Sequence, residues 1–178
     1  YEVSILDLAN AATRRVPQLD SGTHIWGNSR QFWVAPDGRH VALLVPGTTQ
    51  PSAMAVLDLE TGAFSEIEGS YISYGSDHIP HSAVRFSSDS AYVYWLDLGG
   101  PTVLFRATAD GAAQEQLGSW PGVGASLSPD LAWSAFSDGE LSEMTINVSR
   151  IDGEAPRVVQ AQDFGSGGGY RIAWRPAP

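Results

Sequence analysis

The feature that most restricts how this chain folds is a hairpin-like stretch that keeps coming back. "FWVAPDGRHVALL" (32–44) is an apolar run, a Pro-Asp-Gly turn and a second apolar run; "VRFSSDSAYVYWL" (84–96) and "ASLSPDLAWSAF" (125–136) repeat it. The turn aspartates Asp37, Asp89 and Asp130 are separated by 52 and 41 residues. A second pattern lies between these copies. "ILDLANAATRRV" (5–16) aligns without a gap to "VLDLETGAFSEI" (56–67), with Asp7 and Asp58 51 residues apart. "LFRATADGAAQEQL" (104–117) and "VSRIDGEAPRVV" (148–159) are looser copies. A chain with such a period builds its fold by stacking one supersecondary unit on itself.

Each full unit reads as four strands, a to d. In the first they fall near 31–35, 40–45, 53–59 and 63–68; in the second near 83–87, 91–96, 103–108 and 113–117. In the third they fall near 124–128, 132–137, 144–150 and 156–160. Helical periodicity is absent, and strand and turn signals alternate at short spacing. In the first a–b turn Pro36 presets φ, Asp37 hydrogen-bonds locally and Gly38 accepts a left-handed backbone. Ser90 and Leu131 stand at the Gly38 position in the later copies. Because Leu disfavours positive φ, the third turn is expected to take another geometry.

"HVALLV", "AYVYWL" and "MAVLDL" are nearly continuous in apolar residues, the pattern of strands covered on both faces. The d strands are mixed instead: Ser65, Glu66 and Glu68 interrupt Phe64 and Ile67, and Arg14, Arg15, Glu115 and Arg157 also fall on d strands. Charges there blunt an outer sheet edge against pairing with other chains. Stacked four-stranded antiparallel sheets with charged outer edges describe an all-β fold, the β-propeller. The chain is therefore expected to be a single propeller domain or fragment over 1–178. Its parts are strands c and d in 1–19, full blades at 30–68, 83–117 and 124–160, and one a strand in 170–178. Strands at 2–8, 13–16 and 170–175 bring the count to fifteen, one short of four blades. Strand b of the split fourth blade is missing. The expectation is an incomplete ring, part of a larger propeller, whose missing strand lies before Tyr1 or comes from a second chain.

These residues resemble a known family. "APDGRHVALL" with "VLDLETG", and "SPDLAWSAF" with "SRIDGEAPRVV", are similar to the repeats of TolB-like propellers, relatives of the WD-repeat fold. The same repeats occur in the propeller domains of prolyl oligopeptidase-type peptidases. The resemblance covers nearly the whole chain and implies the fold while leaving the function open. The absence of a Trp-Asp dipeptide separates the chain from the WD-repeat family proper.

Composition narrows the possible partners. With 43% apolar and 17% charged residues the chain is globular, not disordered. Its formal net charge is −10 and its ten basic residues are all Arg, of which only Arg14 and Arg15 are adjacent. A phosphate-binding surface needs clustered Lys and Arg, so nucleic acid and anionic membrane are disfavoured. No apolar stretch approaches the roughly 20 residues of a spanning helix. The absence of Cys removes disulfides, thiolate metal sites and thiol catalysis, and suits an oxidising compartment. Tyr1 is not an initiator Met, so a processed or trimmed piece is expected, with targeting information upstream.

Binding residues concentrate on loops held by a rigid scaffold. In a propeller the a–b and c–d turns share one face, and the b–c and d–a connections share the other. The second set is expected to be long, at 20–29, 46–52, 69–82, 97–102, 118–123, 138–143 and 161–169. It carries the candidate binding residues His24, Trp26, Tyr71, Tyr74, Asp77, His78, His81, Trp120, Asp163 and Phe164. The aromatics among them have an alternative role, sealing the gaps between blades. In "SDHIPH" (76–81), Asp77, His78 and His81 have donors suited to Zn²⁺, with His24 as a fourth. The spacing is not the helical His-Glu-x-x-His of zinc peptidases, so no metal and no cofactor are expected.

No Gly-x-Ser-x-Gly elbow occurs, and "GSGGG" (165–169) reads as a linker. Ser76, Asp77 and His78 are neighbours in sequence, which does not make a triad. "NVS" (147–149) matches a glycosylation sequon but falls in an expected c strand. The expected function is a non-catalytic binding or scaffold module, extracytoplasmic (periplasmic, cell-envelope or secreted), presenting its long-loop face to a protein or peptide. The remainder of its own propeller or a second copy is the other expected partner. The alternative is the gating propeller of a serine peptidase whose catalytic domain lies outside this chain; "IAWRPAP" reads as an ending, which speaks against a hydrolase downstream.

Overall fold

The structure is a computed structural model, and it describes residues 4–6, 8–16, 32–46, 52–72, 83–97, 101–120, 123–138, 144–152, 157–162 and 174. Every regular element among them is a β-strand. The first two are β1 (Ser4–Leu6) and β2 (Thr13–Arg15). A first group of four follows: β3 (Phe32–Val34), β4 (His40–Pro46), β5 (Ser52–Asp58) and β6 (Phe64–Ile72). The second group is β7 (Val84–Phe86), β8 (Tyr92–Asp97), β9 (Thr102–Thr108) and β10 (Gln114–Trp120). The third is β11 (Val123–Leu127), β12 (Trp133–Asp138), β13 (Met144–Arg150) and β14 (Arg157–Gln162).

Each group of four is one antiparallel sheet in chain order, and β1 with β2 makes a two-stranded sheet. This is a partial β-propeller of three full blades and two strands of another. The strand expected at 170–175 lies outside the described residues apart from Trp174. In each full blade the d strand slips register against its c strand, at Ala53/Ala55, Gln116/Gly118 and Ile146/Asn147. Such bulges raise the local twist and bend the outer edge away from further pairing.

The continuous apolar runs follow from burial on two sides. On β4, Ala42 and Leu44 join Met54, Val56 and Ile67 in a core shared with the second blade. Val41, Leu43 and Val45, pointing the other way, join Ala53, Ala55 and Leu57 in a core with Val16, against which Ile5 packs. The middle blade repeats this logic. Arg85 pairs with Tyr94, and its Nε donates to the Leu127 carbonyl of the third blade at 2.9 Å. That face of β7–β8 therefore looks at the third blade, and Val84, Val93 and Trp95 look at the first. Trp95 is fully buried and stacks on Phe105 with ring centroids 5.5 Å apart. Truncating a buried Trp of this kind to Ala costs about 3–5 kcal/mol.

The a–b turns correct one expectation. Gly38, Ser90 and Leu131 have φ of 66°, 61° and 56°, so all three copies share one left-handed geometry. Identical bonds close them: the amides of Gly38, Ser90 and Leu131 donate to the carbonyls of Ala35, Ser87 and Ser128 at 2.9, 2.9 and 3.0 Å. The expected change at Leu131 does not occur because its side chain packs against the main core beside Ile151, which offsets the strain. The sequon residue Asn147 lies within β13, 8% exposed, and its amide nitrogen donates to the Thr145 hydroxyl at 3.0 Å.

Candidate interaction face

One end of the blades is assembled from short, internally bonded turns. After each c strand a residue donates its amide back to the a–b turn of the same blade: Leu59 to Arg39, Ala109 to Ala91 and Ile151 to Ala132, at 2.8, 2.9 and 3.1 Å. The a–b and c–d turns of a blade thus sit side by side. Antiparallel alternation then puts the b–c and d–a connections at the opposite end.

The turn carboxylates are used locally. Asp37 Oδ1 accepts from the Arg39 and His40 amides at 2.8 and 3.1 Å, and its Oδ2 lies 2.7 Å from His40 Nδ1. Asp89 accepts from the Ser87 hydroxyl and the Ala91 amide, and Asp130 from the Ser128 hydroxyl and the Ala132 amide. Asp110 takes the Thr108 hydroxyl and the Ala112 amide in the c–d turn of the second blade. For Asp89, Asp110 and Asp130 these hydroxyl and amide donors hold the carboxyl below its ordinary value. At Asp37 partial burial pulls upward, but the Arg39 amide and the His40 side chain and amide outweigh it and the net direction is down. The Arg39 guanidinium, 2.6 Å from Asp58 Oδ2 and 2.8 Å from Glu60 Oε2, holds Asp58 far below the carboxylate range, helped by the Thr61 and Glu60 amides. A carboxylate occupied by its own turn is poorly placed to recruit a ligand. Among the described residues no three His, Asp or Glu side chains gather as cation ligands.

The opposite end differs from its expected shape. β6 runs to Ile72 and β10 to Trp120, so residues 69–72 and 118–120, expected in connections, belong to strands. The b–c connections at 47–51, 98–101 and 139–143 are as short as the turns at the other end, and the d–a connection at 121–122 is shorter still. Between the described strands, length is concentrated at two d–a connections, 16–31 and 73–83. Tyr71 lies near the end of β6, opposite Ala53, and Trp120 ends β10, opposite Thr102. Both are strand residues at the end where the d–a connections begin. His24, Trp26, Tyr74, Asp77, His78, His81, Asp163 and Phe164 lie outside the described residues.

Two features went unread in the sequence. Arg106 of β9 lies over the Tyr92 ring at 4.6 Å and the Tyr94 ring at 5.9 Å, and pairs with Glu115. On the third blade Arg150 and Arg157 both lie over Trp133, 5.6 and 5.7 Å from the ring centroid. Each cluster joins aromatic residues of a b strand to one residue of the c strand and one of the d strand, Trp133 being the single aromatic in the second. Cross-strand register, which the sequence does not display, brings them together.

No family model and no curated protein match the chain. Solved structures do. A TolB-type protein from Agrobacterium tumefaciens shares 13% identity at a TM-score of 0.49, covering 85% of this chain and 53% of that one. A nidogen/laminin complex shares 12% identity at 0.52, covering 92% and 60%. Pyrococcus horikoshii acylaminoacyl peptidase shares 10% identity at 0.54, covering 90% and 28%. The chain spans less than two thirds of the length of each of these structures. At such identities the likeness to the nidogen/laminin and acylaminoacyl peptidase structures shows the fold alone, and it is the propeller fold that the repeats resemble.

Proposed function

We propose that this chain is a non-catalytic binding or scaffold module that presents the end carrying its long d–a connections to a protein or peptide. The observation that carries this reading is the asymmetry between the two ends. One end is closed by short turns whose carboxylates are satisfied within the turns, and the connections of greatest length, 16–31 and 73–83, leave from the other. Long loops on a rigid scaffold are where binding residues concentrate. Trp26, Tyr74 and Trp120 are the proposed anchors, since buried aromatics dominate interface energetics. An extracytoplasmic location belongs to the same proposal and is supported by a chain free of thiols. That nidogen and laminin form a complex, and that its structure is similar to this one, is in keeping with a protein partner.

The test is alanine substitution at Trp26, Tyr74 and Trp120, reading affinity for a captured envelope partner beside thermal stability. Lost affinity at unchanged stability supports the reading. Lost stability at unchanged affinity makes the three residues blade-packing groups and refutes it. A second reading, the gating propeller of a serine peptidase, is favoured by the likeness to the acylaminoacyl peptidase structure. It predicts stable association with a separate hydrolase domain and altered peptide turnover by that domain.

A further inference from the structure

One register line of the second blade is polar from edge to edge. Arg85 of β7 pairs with Tyr94 of β8, Tyr94 with Arg106 of β9, and Arg106 with Glu115 of β10. Residues directly opposite one another share a sheet face, so two guanidiniums, a phenol and a carboxylate stand in one row facing the third blade. The outer cation of the row is compensated: Arg106 is bonded to Glu115 and to the Tyr94 hydroxyl. The inner one is not. Arg85 is partly buried, and among the described residues no carboxylate pairs with it. Its Nε donates to a neutral group, the Leu127 carbonyl, at 2.9 Å. Burial holds its pKa below the ordinary arginine value, with no carboxylate to pull it back. A cation drawn out of water without a counter-charge is unfavourable, and this chain, at net −10, has carboxylates in excess.

β7 and β11 each stand at the end of their sheet, so each has one edge with no partner strand. β3 approaches β7 across the gap between blades, and Arg85 spans from β7 to β11, so the a strands stand side by side. In a propeller such strands surround the central channel. The Ser128 amide donates to the Trp133 carbonyl, which points the polar groups of Ser128 toward β12 and, by alternation, those of Leu127 toward the free edge. The Arg85 guanidinium therefore lies at the inner edge of the blades, with Nε occupied and its two terminal nitrogens left over. We infer that Arg85 is the recognition centre of an anion site on this inner edge. Its ligand is a carboxylate, the group shared by a peptide C-terminus and an Asp or Glu side chain, held end-on by the two terminal nitrogens. The planar fork of a guanidinium matches the two oxygens of a carboxylate. A single cation balances a single carboxylate charge, whereas a phosphate dianion would leave a surplus charge in a chain already at −10. Arg85 belongs to a strand and not to the d–a connections, so the site stands whether or not the loop-end reading holds.

The test follows the Nε–Hε resonance of Arg85 in the proton–nitrogen NMR spectrum of the whole chain, identified by its loss in Arg85→Lys. The probes are acetylated tetrapeptides of alanine and valine: one with a free C-terminus, one amidated, and one amidated with a single Glu. A saturable shift is expected with the first, the third or both, and none with the second. Which of them acts tells whether the carboxylate is a C-terminus or a side chain. Arg85→Gln should weaken binding about tenfold or more, and Arg85→Lys, which keeps the charge but not the fork, should weaken it as well. Arg150→Gln, at a cation already bonded to Asp152, should leave binding unchanged. Removing an uncompensated, partly buried charge offsets the lost Leu127 bond, so Arg85→Gln should leave the urea midpoint level or higher. No shift with either carboxylate peptide, an equal shift with the neutral one, or a stronger response to inorganic phosphate would overturn the proposal. So would a lowered midpoint with undiminished binding, which would make Arg85 a brace between blades. The resonance is read in the unaltered chain, so the result stands even if Arg85→Gln does not fold.

Discussion

The backbone amide of Asp37 donates to the Ser90 hydroxyl, 3.0 Å away, and so ties the a–b turn of the first blade to that of the second. Ser90 holds a left-handed φ of 61° where the first blade has glycine, and it is 6% exposed. The backbone strain is therefore offset by a bond between blades. Ser90→Ala keeps the strain and loses the bond, which should cost about 1–3 kcal/mol. Ser90→Gly loses the bond but relieves about 1–2 kcal/mol of strain, so it should fall close to the wild type. Urea unfolding of the three proteins checks the order, and Ser90→Ala as stable as Ser90→Gly would remove the proposed role of the hydroxyl.

Ser90 also shows where reading the sequence succeeds and where it stops. The strands, their order and the turn positions were legible, because alternation and turn chemistry are local properties of "APDGRHVALL" and its copies. The geometry at Leu131 was not, because propensity forbids what its packing beside Ile151 permits. The ends of β6 and β10 were missed for a related reason. "GSYI" and "GSW" begin with Gly-Ser, a turn signal, yet cross-strand pairing with Ser52–Ala53 and Thr102–Leu104 extends the strands through them. Of the ten candidate site residues, the structure places Tyr71 and Trp120, and on strands. Long connections lack a repeat partner to align with, so the sequence carries little about their shape.

Gly111 packs where no side chain fits. At φ of 74°, a Cβ there would stand 2.9 Å from the Ser65 Cβ of the neighbouring blade. Gly38 has φ of 66° and open space around the same direction. Gly38→Ala should cost only the conformational penalty, about 1–2 kcal/mol. Gly111→Ala should cost distinctly more, and Ser65→Gly in the same chain should recover part of the difference. Equal losses at the two glycines would mean that the first and second blades do not meet at this point.

Stability should fall in acid, and the turn aspartates set the window. Asp37, Asp58, Asp89, Asp110 and Asp130 are all held below the ordinary value of 3.8. A carboxyl depressed by folding binds fewer protons folded than unfolded, so its contribution is complete above 3.8 and disappears as pH falls through the folded value. Urea midpoints are expected to be level from pH 7 to about 5 and to drop steadily below 4. Asp89→Asn should flatten that drop while lowering the neutral-pH midpoint. A midpoint that rises on acidification would show that relief of the −10 net charge outweighs the turn bonds.

The last prediction concerns Trp174, whose Nε1 donates to the Ser126 hydroxyl of β11 at 3.1 Å. Ser126 is 1% exposed, so its hydroxyl has little access to solvent in exchange for that bond. β11 is the a strand of the third blade, and the indole contact ties residue 174, far along the chain, to it. Trp174→Phe keeps most of the ring and removes the donor; Ser126→Ala removes the acceptor. Each should cost about 1 kcal/mol, and the double variant should cost less than the two combined, with a coupling of about 0.5–1.5 kcal/mol. Denaturant unfolding of the four proteins measures that coupling. Strict additivity would mean that Trp174 and Ser126 do not bond in solution and that β11 is covered by something else.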